Sequence, residues 1–196
     1  MKASSLLVLF CLLSVILCDT TGVTKEALKA SFEGGLNFMK AFHKTTYTLG
    51  KGIFNKYTLT NPLLAEENID FKVENGLVRV IFQNIKLTLS GSATIRKSQF
   101  FQTTSVGATL DSTKYELGYT FSSTKLADGK YEVKFSKASE SEFTYKIARL
   151  TSKFSGLTDL EDQLKARIQK LDFTVYKDYL KKIANLVLET LPSYMK

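Results

Sequence analysis

Cysteine is almost missing: the chain has two, Cys11 and Cys18, and both lie within its first 18 residues. Around them stand Lys2, an apolar run from Leu6 to Leu17, and then Cys18-Asp19-Thr20. That is the pattern of a secretory signal peptide over residues 1–18, cut after Cys18 or Thr20, and too short to read as a membrane span. The rival pattern, a bacterial lipoprotein box, would want a small residue where Leu17 stands. The expectation is a secreted, extracellular protein, and residues 19–196 read as one domain without cysteine. A disulfide, a thiol nucleophile, a thiolate zinc site and a haem bound through CxxCH are then all excluded. Roughly 178 residues are enough to bury a hydrophobic core without disulfide support.

Other scarcities narrow the function. The single histidine, His43, falls at the end of the first helical segment, where an imidazole favours the helix dipole or faces solvent. The sequence has no GxSxG, no HExxH, no phosphate-cradling glycine loop, no EF-hand spacing and no Asn-x-Ser/Thr sequon. Paired carboxylates do occur, at Glu66-Glu67 and at Glu140 and Glu142, but they read as loop charges. The chain therefore reads as a binding protein and not an enzyme, with no metal and no cofactor called for. Nor is there a nucleic-acid-binding motif. Lysine and arginine number 27 against 19 acidic residues, and without Lys2 the excess is about +7. Such an excess favours anionic partners, although here the charges are scattered along the chain.

Three kinds of pattern are present. Residues 24–44 carry Ala27, Leu28, Phe32, Gly35, Met39 and Phe42 at helical spacing, with Thr24 as N-cap. Gly34-Gly35 reads first as a kink and second as a close approach to another chain element or a ligand. From Tyr57 to Arg149 the period becomes 2. Asn75-Gly76 marks a hairpin, and a phase change at Gln83-Asn84 between Phe82 and Ile85 predicts a β-bulge. Alternation then marks further strands over Phe100–Leu110, Tyr115–Phe121, Tyr131–Phe135 and Phe143–Ile147. Leu160 to Leu191 returns to helical spacing: Leu160, Leu164, Ile168, Leu171, Val175, Tyr179 and Ile183 form one stripe, opened by a capping box at Thr158–Glu161. Its weak point is Asp172-Phe173-Thr174-Val175, where the helix is expected to bend or break. Fourteen Phe and nine Tyr, without Trp, concentrate on the strands. The predicted fold is α+β: an N-terminal helix, a long antiparallel sheet with one apolar face, and a long amphipathic helix covering it.

The order of elements, with the segment NGLVRVIFQNIKLTLSGSATIRK, resembles the tubular lipid-binding superfamily. That group includes the bactericidal/permeability-increasing and lipopolysaccharide-binding proteins, the takeout and juvenile-hormone-binding proteins, and the group 7 mite allergens. The resemblance covers about Thr24 to Lys196 and rests on topology, since no diagnostic motif is shared. In size and lack of cysteine the chain is most similar to the mite allergens. The disulfides of the takeout and bactericidal branches are missing, so neither branch lends its ligand. The resemblance implies a strongly curved sheet wrapped on the C-terminal helix, with an apolar tunnel between them that carries a fatty acid, phospholipid or terpenoid. Walls for such a tunnel would come from Val106, Leu117, Tyr119, Phe121, Val133, Leu164, Ile168, Val175 and Ile183. Each buried methylene contributes about 0.8 kcal/mol, roughly 10 kcal/mol gross for a long acyl chain. A second expectation concerns Lys170, Lys177 and Lys181, which share the back of a continuous helix and would approach an anionic membrane or lipopolysaccharide. A solid-cored protein recognising such a surface, or another protein, is the alternative function. A lipocalin-like carrier fits less well, given the N-terminal helix and the missing Gly-x-Trp.

Overall fold

The computed structural model describes residues 22–49, 55–97, 99–152 and 158–195. The expected signal peptide lies outside them. Helix α1 is Lys25–Phe42, and Thr24 caps it as expected, its hydroxyl accepting a hydrogen bond from the Ala27 amide at 3.1 Å. Eight strands follow: β1 (Thr46–Leu49), β2 (Asn55–Thr60), β3 (Ile69–Glu74), β4 (Leu77–Phe82), β5 (Lys86–Lys97), β6 (Phe100–Lys125), β7 (Tyr131–Glu140) and β8 (Thr144–Ser152). Helices α2 (Thr158–Gln169) and α3 (Thr174–Thr190) end the chain, with a short 3₁₀ turn at Leu191–Tyr194. Among the described residues no helix is long and apolar enough to cross a membrane.

The fold class is the expected α+β, with β6 as its axis. The alternations over Phe100–Leu110 and Tyr115–Phe121 belong to this one strand of 26 residues and not to two strands. Straight, it would run about 85 Å, far beyond a domain's width, so it has to coil. One edge of β6 pairs with β5 and then β4; β8 and β7 pair with it in the same succession. Cα partners run from Lys97↔Phe100 through Lys86↔Asp111 to Phe82↔Tyr115 and Leu77↔Thr120 without a net slip. β4 and β5 are thus one interrupted strand.

The interruption falls at Gln83–Ile85, where the phase change was expected. Asn84 takes a positive φ of 57°, a conformation asparagine tolerates better than most residues. Buried Asn68 holds it there: its amide nitrogen donates to the Asn84 carbonyl at 3.1 Å. Opposite, β6 changes phase as well, from buried Leu110 and Ser112 to buried Tyr115 and Leu117. The two strands change face together, and the register survives. Gly91 serves curvature at closer range, since a Cβ there would stand 2.1 Å from the Lys56 carbonyl oxygen. The Asn75-Gly76 hairpin is present between Glu74 and Leu77, both turn residues at positive φ.

The long C-terminal helix is broken, and Asp172 gives the cause. Its carboxylate accepts from the Thr174 amide (2.8 Å) and hydroxyl (2.6 Å), which starts a new helix. α2 buries Leu160, Leu164 and Ile168; α3 buries Tyr176, Tyr179, Leu180, Ile183, Ala184, Val187 and Leu188. The break advances the apolar stripe by one residue, from Val175 to Tyr176. Thr158 is the first residue of α2. At Gly34 the close approach is found: Tyr194 lies so near that a Cβ there would stand 1.8 Å from its hydroxyl, whereas a Cβ on Gly35 would meet only ordinary contacts.

Candidate functional site

At the break between α2 and α3 the surface opens into a groove of about 360 Å³, within the size range of small-molecule sites. Phe143, Tyr145, Leu171 and Phe173 supply its apolar lining; Glu142, Asp172 and Lys177 are its charged members. Tyr145 fixes this corner, its hydroxyl donating at 2.8 Å to the Ile168 carbonyl, which also accepts from the Leu171 amide at 3.1 Å. The Tyr145 and Phe173 rings pack with centroids 4.8 Å apart, and Phe143 with Phe173 at 5.5 Å. These are ordinary aromatic pair distances, and they bind the β8 end of the sheet to the helix junction.

Beneath the groove the rings continue inward. Phe143 meets Tyr176 edge-on at 5.6 Å, and Tyr176 meets Tyr47 edge-on at 5.7 Å. Tyr179 closes the group, 6.0 Å from Tyr176 and 6.2 Å from Tyr47. The Tyr179 hydroxyl and His43 Nδ1 are hydrogen-bonded at 3.0 Å, so the only histidine joins this cluster instead of facing solvent. Burial holds the imidazole pKa below its ordinary value. Burial raises every phenol here, that of Tyr179 to about 12, so all of them are neutral donors. Tyr47 and Tyr176 are 4% and 0% exposed, and among the described residues neither hydroxyl, nor that of buried Tyr57, has a hydrogen-bond partner. Among the described residues no group of three His, Cys, Asp or Glu side chains is placed to hold a metal.

The expected wall residues are partly reunited. Val106, Leu117, Tyr119, Leu164, Ile168 and Ile183 are buried in one core, and Phe121 and Val133 pack half-buried against it. Val175 is different: 49% exposed, it faces away because the break shifts the helical phase. None of the nine lines the groove. Of the expected lysine face, Lys177 and Lys181 stay four residues apart on α3. Lys170 lies in the turn after α2, so a continuous-helix angle does not apply to it. Lys181 is tied to Glu140 at 3.0 Å, while Lys177 sits in the groove. Glu140 is not a loop charge but the end of β7, accepting from the Tyr115 hydroxyl at 2.7 Å.

A second feature lies at the far end of the β5–β6 hairpin. Phe100 and Phe101 are 77% and 73% exposed although consecutive strand residues face opposite sides, so neither face of the tip is covered there. Their cross-strand partners are Lys97 and Arg96.

No protein-family model and no curated protein matches the chain. Among solved structures, a lipopolysaccharide binding protein aligns with 87% of this chain at 16% identity and a TM-score of 0.36. The aligned part spans 38% of that protein's length. A likeness of this size bears neither on the fold nor on the function.

Proposed function

We propose that this chain is a secreted binding protein for a hydrophobic small molecule, taken up at the groove between α2 and α3. One observation carries the reading: a groove of suitable size at the helix junction sets four apolar or aromatic side chains, Phe143, Tyr145, Leu171 and Phe173, beside a polar rim of Glu142, Thr144, Gln169, Asp172 and Lys177. Burial of an apolar tail against Phe143, Tyr145, Leu171 and Phe173 supplies the affinity. A neutral fluorescent probe, N-phenyl-1-naphthylamine, tests it. The wild-type protein should take up the probe with a blue-shifted emission. Leu171→Asp puts a charge into the groove at a half-buried position and should weaken uptake about tenfold or more. Leu126→Asp, at the distant exposed turn between β6 and β7, should not. Equal uptake by both variants and the wild type would place the ligand elsewhere.

A second reading has its own observation. The hairpin tip, with exposed Phe100 and Phe101 beside Arg96 and Lys97 in the register, suits the surface of an anionic lipid. In that reading the tip makes contact, and the groove receives what is extracted.

A further inference from the structure

Another recess, of about 360 Å³, lies on the outer face of the sheet where β5, β6 and β8 run side by side, and it shares no lining residue with the groove. Alternation sends Leu89 and Ala108 into the core and leaves Thr88, Ser90, Gly107 and Thr109 facing out. Thr88 and Thr109 are in register with Arg149, and Ser90 and Gly107 with Thr151. Gly107 is the floor: having no side chain, it leaves a dent walled by hydroxyls from three strands and by one guanidinium. The Thr151 hydroxyl is occupied, donating to the Gly107 carbonyl at 3.1 Å. Those of Thr88, Ser90 and Thr109 have no partner among the described residues, and neither has the Arg149 side chain. By contrast, Arg79 on β4 is paired with Glu116 at 2.7 Å.

The charge around the recess selects its ligand. Arg149 is the one charged residue in the lining. One step along the sheet, Lys86, Asp111 and Lys146 are in register, so three basic side chains stand against one acid. None of these four is in an ion pair among the described residues. A cation is repelled here, and a neutral group would leave the guanidinium to water. A phosphate accepts two parallel hydrogen bonds from a guanidinium, and its remaining oxygens accept from serine and threonine hydroxyls. The recess is open to water, so its affinity comes from these bonds and falls with salt.

We propose that the recess between β5, β6 and β8 binds a phosphate group, free or carried by a lipid, through the Arg149 guanidinium and the hydroxyls of Thr88, Ser90 and Thr109.

Inorganic phosphate is the first probe, titrated into isotope-labelled protein at pH 8 with ionic strength held constant by sodium chloride, while backbone amide resonances are followed. Saturable shifts should be confined to Thr88, Ser90, Gly107, Thr109, Arg149, Thr151 and their chain neighbours. Arg149→Gln should weaken binding about tenfold or more, and Arg149→Lys, which keeps the charge but loses the fork, about threefold. Lys134→Gln, the same loss of charge at an exposed position on β7, should leave binding unchanged. Arg149 is exposed, so its variants should unfold at the wild-type temperature. Shifts spread over the whole basic surface would overturn the assignment, as would equal affinity in wild type and Arg149→Gln. Phosphatidylcholine vesicles containing phosphatidic acid then name the source. Sedimentation that needs Arg149 and that free phosphate competes away supports the site with the group on a lipid. Phosphate binding without such sedimentation supports it with a soluble phosphorylated compound.

Discussion

Glu140 gathers three partners. It accepts from the Tyr115 hydroxyl on β6 at 2.7 Å, from Lys181 on α3 at 3.0 Å, and from Lys137 on its own strand. Lys137 first, with Tyr115 and Lys181 behind it, outweighs the effect of burial and lowers the carboxyl from 4.5 to about 2. A depressed carboxyl stabilises the fold above its unfolded value and loses that contribution as the folded form takes up a proton. Stability should therefore fall as pH drops from about 4.5 towards 2. Glu140→Gln should be less stable than wild type at pH 7, and the difference should shrink across that window, as followed by thermal unfolding. A constant difference from pH 7 to 2 would mean that the three contacts do not hold the charge. Such a residue is hard to foresee, because its partners lie 3, 25 and 41 positions away. Thr24 could be read as a cap because its partner is three residues on. At Gly34 a close approach could be named but not its partner, because Tyr194, the side chain that needs the space, is at the other end of the chain.

At the scale of elements, period and breaks were legible, while connections were less so. The weak point at Asp172 appears in the structure because its cause is local, a carboxylate that hydrogen-bonds Thr174 two residues on. The β4–β5 phase change shows in the period itself, although Asn68, which holds Asn84, lies 16 positions away. Fusion of two alternations into β6 was not legible, because a coordinated change of face looks like a turn when only one strand is seen. β1 was missed: at four residues it is too short for a period, and its pairing to β2 defines it. The β5–β6 hairpin carries the prediction that belongs here. If the tip docks on anionic lipid, wild-type protein should sediment with vesicles containing phosphatidylglycerol and much less with phosphatidylcholine alone. Phe100→Asp/Phe101→Asp should abolish sedimentation and leave probe uptake at the groove unchanged, as both positions are already in water. Equal sedimentation of variant and wild type would remove the tip from the account.

The whole molecule is a curved sheet closed by helices at both ends of the chain. Ser31 on α1 donates to the Val187 carbonyl on α3 at 2.7 Å, and Lys25 pairs with Asp70 on β3 at 2.6 Å, so the first helix is fastened to the last and to the sheet. Sequence periodicity told which side chains share the interior, and all but Val175 of the proposed wall residues are buried or half-buried there. It could not tell where the interior meets solvent. The groove arises from the helix break, and its lining comes from β8, from the residues just before it, and from the junction itself. Tyr176 and Tyr47, 129 positions apart, become neighbours only when α3 lies under β1. The most direct measurement is native mass spectrometry of the protein as secreted, with organic extraction of whatever leaves it. The account expects one equivalent of a hydrophobic small molecule, lost from Leu171→Asp. Protein that emerges bare, and that stays bare when offered such molecules, would contradict it.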